Sequence, residues 1–165
     1  PKDAVAAGLA VADSRFTYAI GKLVLWSRSL DLAKGDETLK ANAFSKLSIA
    51  NPTAAPYGAA AVETMKALGV YAAIEPKLVQ GNSIAQAFQF VDTGNAELGF
   101  VALSQLASTS AGSRWVVPQA LYAPILQDAV LLKKGADDEA SKAFIAFLRG
   151  PEARAVIEKF GYGLP

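Results

Sequence analysis

Two short stretches carry residues whose types and spacing suit anion chemistry. One is Asn51-Pro52-Thr53-Ala54-Ala55-Pro56-Tyr57-Gly58, and the other is Gln80-Gly81-Asn82-Ser83-Ile84. Each follows a short apolar run, Leu47-Ser48-Ile49-Ala50 or Leu78-Val79, and each opens a segment with the apolar spacing of a helix. A helix start presents N–H groups with no intrahelical partner at the positive end of the dipole, so it suits a small oxyanion. Neutral donors can hold a tetrahedral dianion if several converge, because hydrogen bonds to a charged acceptor are strong. In the first stretch Tyr57 and Gly58 fall in the first helical turn, and Tyr57 adds a phenolic hydroxyl. Pro56 has no N–H and serves to fix the turn. In the second stretch Asn82 and Ser83 are cap-type residues, which leaves the N–H groups of Ile84 and Ala85 pointing outward. A plainer reading stands beside this one. Both stretches are then ordinary capped turns, Tyr57 is a surface aromatic, and Asn82 and Ser83 only cap, serving a ligand at most by fixing the Ile84 N–H. Most strand-to-helix turns bind nothing, and local pattern alone favours the plainer reading.

Other chemistry is poorly supplied. The chain has no Cys and no His, which removes the usual ligands of zinc, iron–sulfur and haem sites and every Ser–His triad. Asp92 and Glu97 form an acid/base pair only on paper, one near a helix end and one opening a strand. Asp137-Asp138-Glu139 is an acidic helix start of the ordinary kind. Ser104-Gln105 ends a strand, where a ligand could lie, but equally begins the next helix, and Trp26 and Trp115 are most simply packing residues. An enzyme is therefore disfavoured, with no catalytic residues, no cofactor and no direct side-chain metal ligand expected.

The elements that must position the two stretches follow from periodicity. The strand 47–50 leads into a helix from Tyr57 to Leu68, closed by Gly69, with Ala61, Met65 and Leu68 on one face. A turn at 71–74 and a strand at 77–79 lead into the second helix. That helix carries Ile84, Phe88 and Val91 on one face and stops near Gly94. Residues 97–103 read as a buried strand. This β-α-β-α-β run implies a parallel arrangement with helices packed on it. On either side lie two long strand-like segments, 16–26 with a bend at Gly21 and 122–133 with Pro124 near its start. Residues 2–7 read as the last turns of a helix capped by Gly8, and residues 115–117 as a short strand. Two helices close the chain, one at 138–149 expected to bury Ala140, Phe144, Phe147 and Leu148. The other starts at Pro151 and is expected to bury Val156, Ile157 and Phe160. The pattern divides into 1–24, 25–123 and 124–165: a complete central lobe inserted into an incomplete outer one.

Composition sets the remaining bounds. Of 165 residues 52% are hydrophobic and 19% charged, which fits a packed core and excludes disorder. Sixteen Lys and Arg against fifteen Asp and Glu give a net charge of +1, with no basic cluster, so nucleic acid is not the expected partner. No apolar run is long enough to span a bilayer. The first residue is Pro1, and residues 2–7 read as the tail of a helix, which leads to the expectation that a preceding segment has been removed.

The stretches IANPTAAPYGAAAVE (49–63), KLVQGNSIAQAFQFVDTGNAELGFVALSQ (77–105) and YAPILQDAVLLKKG (122–135) closely resemble the periplasmic molybdate-binding proteins of bacterial ABC transporters. RFTYAIGKLVLWS (15–27) and FLRGPEARAVIEKFGYG (147–163) resemble their hinge and C-terminal end. The resemblance covers essentially the whole chain. It implies an α/β, type II periplasmic binding protein-like fold, with one complete lobe built on a mixed sheet and an incomplete second lobe. It also implies a molybdate or tungstate ion held by neutral donors, delivery to an ABC transporter permease, and a periplasmic location. By position, Tyr57 and Ile84 match ligand-contacting residues, with Gly58, Asn82 and Ser83 in support. Some members use a tyrosine where this chain has Ala102, so Tyr57 would take its place. Relative to the resemblance the chain looks N-terminally truncated. The alternative to oxyanion binding is then a fragment that keeps the fold but has lost tight binding, and exposure of Phe144, Phe147 and Phe160 is expected. Such a patch would drive homo-oligomerisation, with swapped elements as one route.

Overall fold

The functional stretches lie in the larger of two compact units. A computed structural model describes residues 1–165. Contacts divide them into Lys22–Ile125 and a second unit made of Pro1–Gly21 with Leu126–Pro165.

The larger unit is built on a five-stranded mixed sheet. Its strands are β2 (Leu23–Ser27), β3 (Leu47–Ala50), β4 (Leu78–Gly81), β5 (Leu98–Ala102) and β6 (Ser113–Val116), in the order β4-β3-β5-β2-β6. β3 runs parallel to both β4 and β5, whereas β2 is antiparallel to β5 and β6. Three helices belong to this unit: α2 (Gly35–Ala41), α3 (Pro56–Ala67) and α5 (Ile84–Asp92), with a single turn, α4 (Tyr71–Ile74), between the last two. The chain leaves β3 for β4 on one side and returns to β5 on the other. Right-handed crossovers in opposite directions place their helices on opposite faces. The packing agrees. Ala60, Ala61 and Met65 of α3 join Leu23, Leu25, Leu47, Ile49, Leu98 and Phe100 in one core layer. Val91 of α5 joins Val24, Trp26 and Val101 in the other. Alternate residues along each strand thus face opposite layers, as the pleat requires, and β2, β3 and β5 are buried along their whole length. Trp26 and Phe88 stack at 4.9 Å in the α5 layer.

The smaller unit holds a two-stranded sheet, β1 (Phe16–Gly21) with β7 (Ile125–Ala129), and the helices α1 (Lys2–Ala6), α6 (Glu139–Arg149) and α7 (Pro151–Lys159). Asp128 accepts hydrogen bonds from Thr17 and Arg15, which ties β1 to β7.

Four expectations need correction. The single strand 16–26 is two strands, β1 and β2, in different sheets, because the chain changes partners at Gly21-Lys22. The strand 122–133 is only Ile125–Ala129, and residues beyond it turn into a short 3-10 helix at Lys133–Gly135. The turn at 71–74 is α4, continued by a 3-10 turn. Finally, α6 buries none of the residues that its periodicity marks: Phe144 and Phe147 are 59% and 46% exposed, which is the exposure expected of them from the resemblance. In α7 only Ala153 is buried, while Val156 and, just past the helix, Phe160 are exposed. Both helices are amphipathic, yet the elements of their own unit leave those apolar faces uncovered.

Candidate functional site

Parallel strands end on the same edge of a sheet, so the register of β3 and β4 decides whether the two helix starts meet. Ala50 pairs with Gly81, the last residue of each strand. One residue further on, the Asn51 N–H donates to the Gly81 carbonyl at 2.7 Å. Both stretches therefore leave the sheet from adjacent positions on one edge, the carboxyl edge, at the point where the strand order reverses. That is the usual ligand position in an α/β sheet.

The first start is shaped by backbone. The Asn51 side chain accepts from the Thr53 N–H at 3.0 Å and hydroxyl at 2.8 Å, and its carbonyl accepts from Ala54 and Ala55. The residue preceding α3 is Ala55, which has no side-chain oxygen to cap the helix, and Pro56 occupies the first position. Gly58 permits a close approach: a Cβ there would lie 2.2 Å from the Ala50 carbonyl oxygen. Its N–H donates to Ala55 at 2.9 Å, which corrects the expectation of an unpaired Gly58 donor. Gly58 seats the helix against the end of β3. Tyr57 is buried, 9% exposed, within the α3 core layer, so it is not the surface aromatic of the plainer reading. Ile84 packs against the same layer.

The second start is a reciprocal cap. Ser83 Oγ accepts from the Gln86 N–H at 3.3 Å, and Gln86 Oε1 accepts from the Asn82 N–H at 2.7 Å. Asn82 takes part through its backbone, while Ser83 alone caps by side chain. The Ser83-x-x-Gln86 spacing is a capping-box signature, a signal that sequence reading passed over. With Gln86 served, the first-turn amides of Ile84 and Ala85 have no intrahelical acceptor. Gln105, a weak candidate at a strand end in the sequence, is linked to this start by a bond the sequence did not signal. It lies in the 3-10 helix Leu103–Leu106 that follows β5, and its side chain reaches the Ile84 carbonyl at 3.1 Å.

The other candidates stand apart. Asp92 pairs with Arg28 at 3.4 Å, and Glu97 accepts the N–H groups of Ser45 and Lys46. Asp138 caps α6 through the Ser141 N–H, and its bonds with Ser141, hydroxyl first, hold its carboxyl below the usual range. Trp26 is core, and Trp115 covers Gly35. No group of three or more acidic residues is placed to hold a metal ion. A recess of about 680 Å³ in the smaller unit is lined by Arg15, Thr17, Asp128 and Lys133 among others. Its Arg15 and Asp128 neutralise one another. No helix is long and apolar enough to cross a membrane.

Comparison with known proteins agrees with this architecture. Residues 1–163 match the bacterial extracellular solute-binding protein family. The molybdate-binding protein ModA of Rhodobacter capsulatus is 56% identical over 165 residues, covering 98% of this chain and 64% of that protein. ModA of Azotobacter vinelandii is 57% identical over 161 residues, covering 95% and 64%. The chain thus spans less than two thirds of the length of these relatives. The solved periplasmic molybdate-binding protein of Azotobacter vinelandii has a TM-score of 0.88 at 38% identity, covering 100% of this chain and 74% of that one. The chain belongs to the bacterial extracellular solute-binding protein family.

Proposed function

We propose that the chain binds molybdate or tungstate, without catalysis and without a cofactor, for delivery to an ABC transporter permease in the periplasm. The observation that carries this reading is the junction of the two helix starts, Ala50 against Gly81 with Asn51 bonded across, in a chain so similar to molybdate-binding proteins. Tyr57 and Ile84 contact the ion in this reading. Gly58 holds α3 close to β3, while Ser83 and the Asn82 backbone hold the first turn of α5. The donors are neutral and the field comes from two helix dipoles.

The test is thermal unfolding with molybdate, tungstate or sulfate. Bound ligand raises the melting temperature by mass action, so molybdate and tungstate at millimolar concentration should raise it and sulfate should raise it less. Tyr57→Phe, which removes one hydroxyl, should weaken molybdate binding about tenfold, as a lost bond to a charged group does. No shift with any of the three ions would sink the reading.

A second reading rests on the exposed Phe144, Phe147, Val156 and Phe160 of the smaller unit. Here the chain keeps its fold, has lost tight anion binding, and self-associates through those faces. Light scattering that gives a mass above the monomer, together with no molybdate shift, would favour it.

A further inference from the structure

We propose that Gln105 is a positioning residue for the anion site, acting on the first turn of α5; the inference rests on the function proposed above. Gln105 follows β5 by three residues and is remote from Ile84 in sequence. Its Oε1 accepts from the Ala102 N–H at 2.9 Å and its Nε2 donates to the Ile84 carbonyl at 3.1 Å. The first bond alone would be an ordinary closure of a 3-10 helix start. The second is not, because it crosses from the end of one parallel strand to the helix that follows another.

The two bonds fix the amide's orientation. Turning it over would set NH₂ against the Ala102 N–H and oxygen against the Ile84 carbonyl. The carbonyl that Gln105 holds and the Ala85 N–H belong to one planar trans peptide, so they point in opposite directions, and fixing one fixes the other. A donor on the carbonyl also polarises the N–H of the same unit. Gln105 thereby aims and strengthens the Ala85 donor beside Ile84, without touching the ion. It also ties the carboxyl end of β5 to the α5 start, as Asn51 ties β3 to β4.

The experiment titrates molybdate into the protein and into Q105M and Q105E, at pH 7 and again below the midpoint of the new carboxyl, which NMR locates. Q105M removes both bonds without adding charge, and should bind about three- to tenfold more weakly at both pH values. The Q105E carboxylate can still accept from Ala102 but opposes the Ile84 carbonyl, so binding at pH 7 should be weaker still. Once protonated, the carboxyl again offers one acceptor and one O–H donor, and affinity should return toward that of the unsubstituted protein measured at the same pH. That comparison removes the ion's own protonation. Melting of the ligand-free variants confirms that they fold. If Q105M binds as tightly as the unsubstituted protein, or Q105E shows no recovery on protonation, the role of Gln105 is overturned alone. If the unsubstituted protein binds no molybdate, the functional reading fails and takes this inference with it.

Discussion

The two units solve the same problem with unequal means. In Lys22–Ile125 every strand that faces a helix is covered, and a sheet sandwiched by α3 and α5 buries Leu23, Leu25, Leu47, Ile49, Leu98 and Phe100 completely. In the other unit two paired strands accompany helices whose apolar faces remain open, with Phe144 and Phe147 ring to ring at 6.4 Å on the surface. A two-stranded sheet is marginal by itself. The contrast teaches that amphipathic spacing states which face of a helix requires cover and says nothing about what supplies it.

The sharpest way to break this contrast is a large truncation in the covered unit. Phe100 is fully buried between β2 and β3, opposite Leu25. Phe100→Ala should cost about 3–5 kcal/mol, from lost transfer energy plus a cavity. Both tryptophans, Trp26 and Trp115, belong to this unit, so urea unfolding followed by tryptophan fluorescence reads it selectively. A loss below about 1 kcal/mol would mean the unit is not the stable body its packing describes.

What sequence made legible follows the same division. The strand 47–50, the helix from Ile84 and the parallel run were readable, because each carries its own period and its own stop, such as Gly69 and Gly94 with φ of +71° and +75°. The break between β1 and β2 was legible only as a bend at Gly21, not as a change of sheet. FTYAIG and LVLWS share one strand-like composition, and only partner choice separates them. The two helix starts were readable as a pair of candidate donors, while their junction depended on the Ala50–Gly81 register, a long-range fact. Gly58 resembled any helical glycine until the Ala50 carbonyl was found against it. Gln105 was legible only as a weak candidate at a strand end; its bond to Ile84 was not, since that partner is distant in the chain.

A smaller effect should locate what strength the open unit does have. Asp128 joins β1 to β7, and its bonds from Thr17 first and Arg15 second hold its carboxyl below the ordinary value of 3.8. A depressed folded-state value favours the folded form wherever the carboxyl is ionised. The contribution is complete above pH 3.8, and is lost as pH falls through 3.8 toward the folded value. Asp128→Asn should remove about 1 kcal/mol at pH 7 and flatten that acid limb. Amide exchange in β1 and β7 is the readout, and unchanged exchange there would show that the Arg15–Thr17–Asp128 group does not hold the strands.

The smallest stability effect is expected where periodicity alone would assign burial. The double substitution of Phe144→Ser and Phe147→Ser removes two rings that are already largely in solvent, so the folding free energy should move by no more than about 0.5 kcal/mol per site. In a packed helix the same change would cost several times more. If the open faces pair with a second copy, the double variant should shift light-scattering mass toward the monomer while leaving the tryptophan fluorescence of the larger unit unchanged, because both tryptophans belong to that unit. A large loss of stability with no change in mass would instead mean that these rings are covered within one molecule, and the contrast between the two units would disappear.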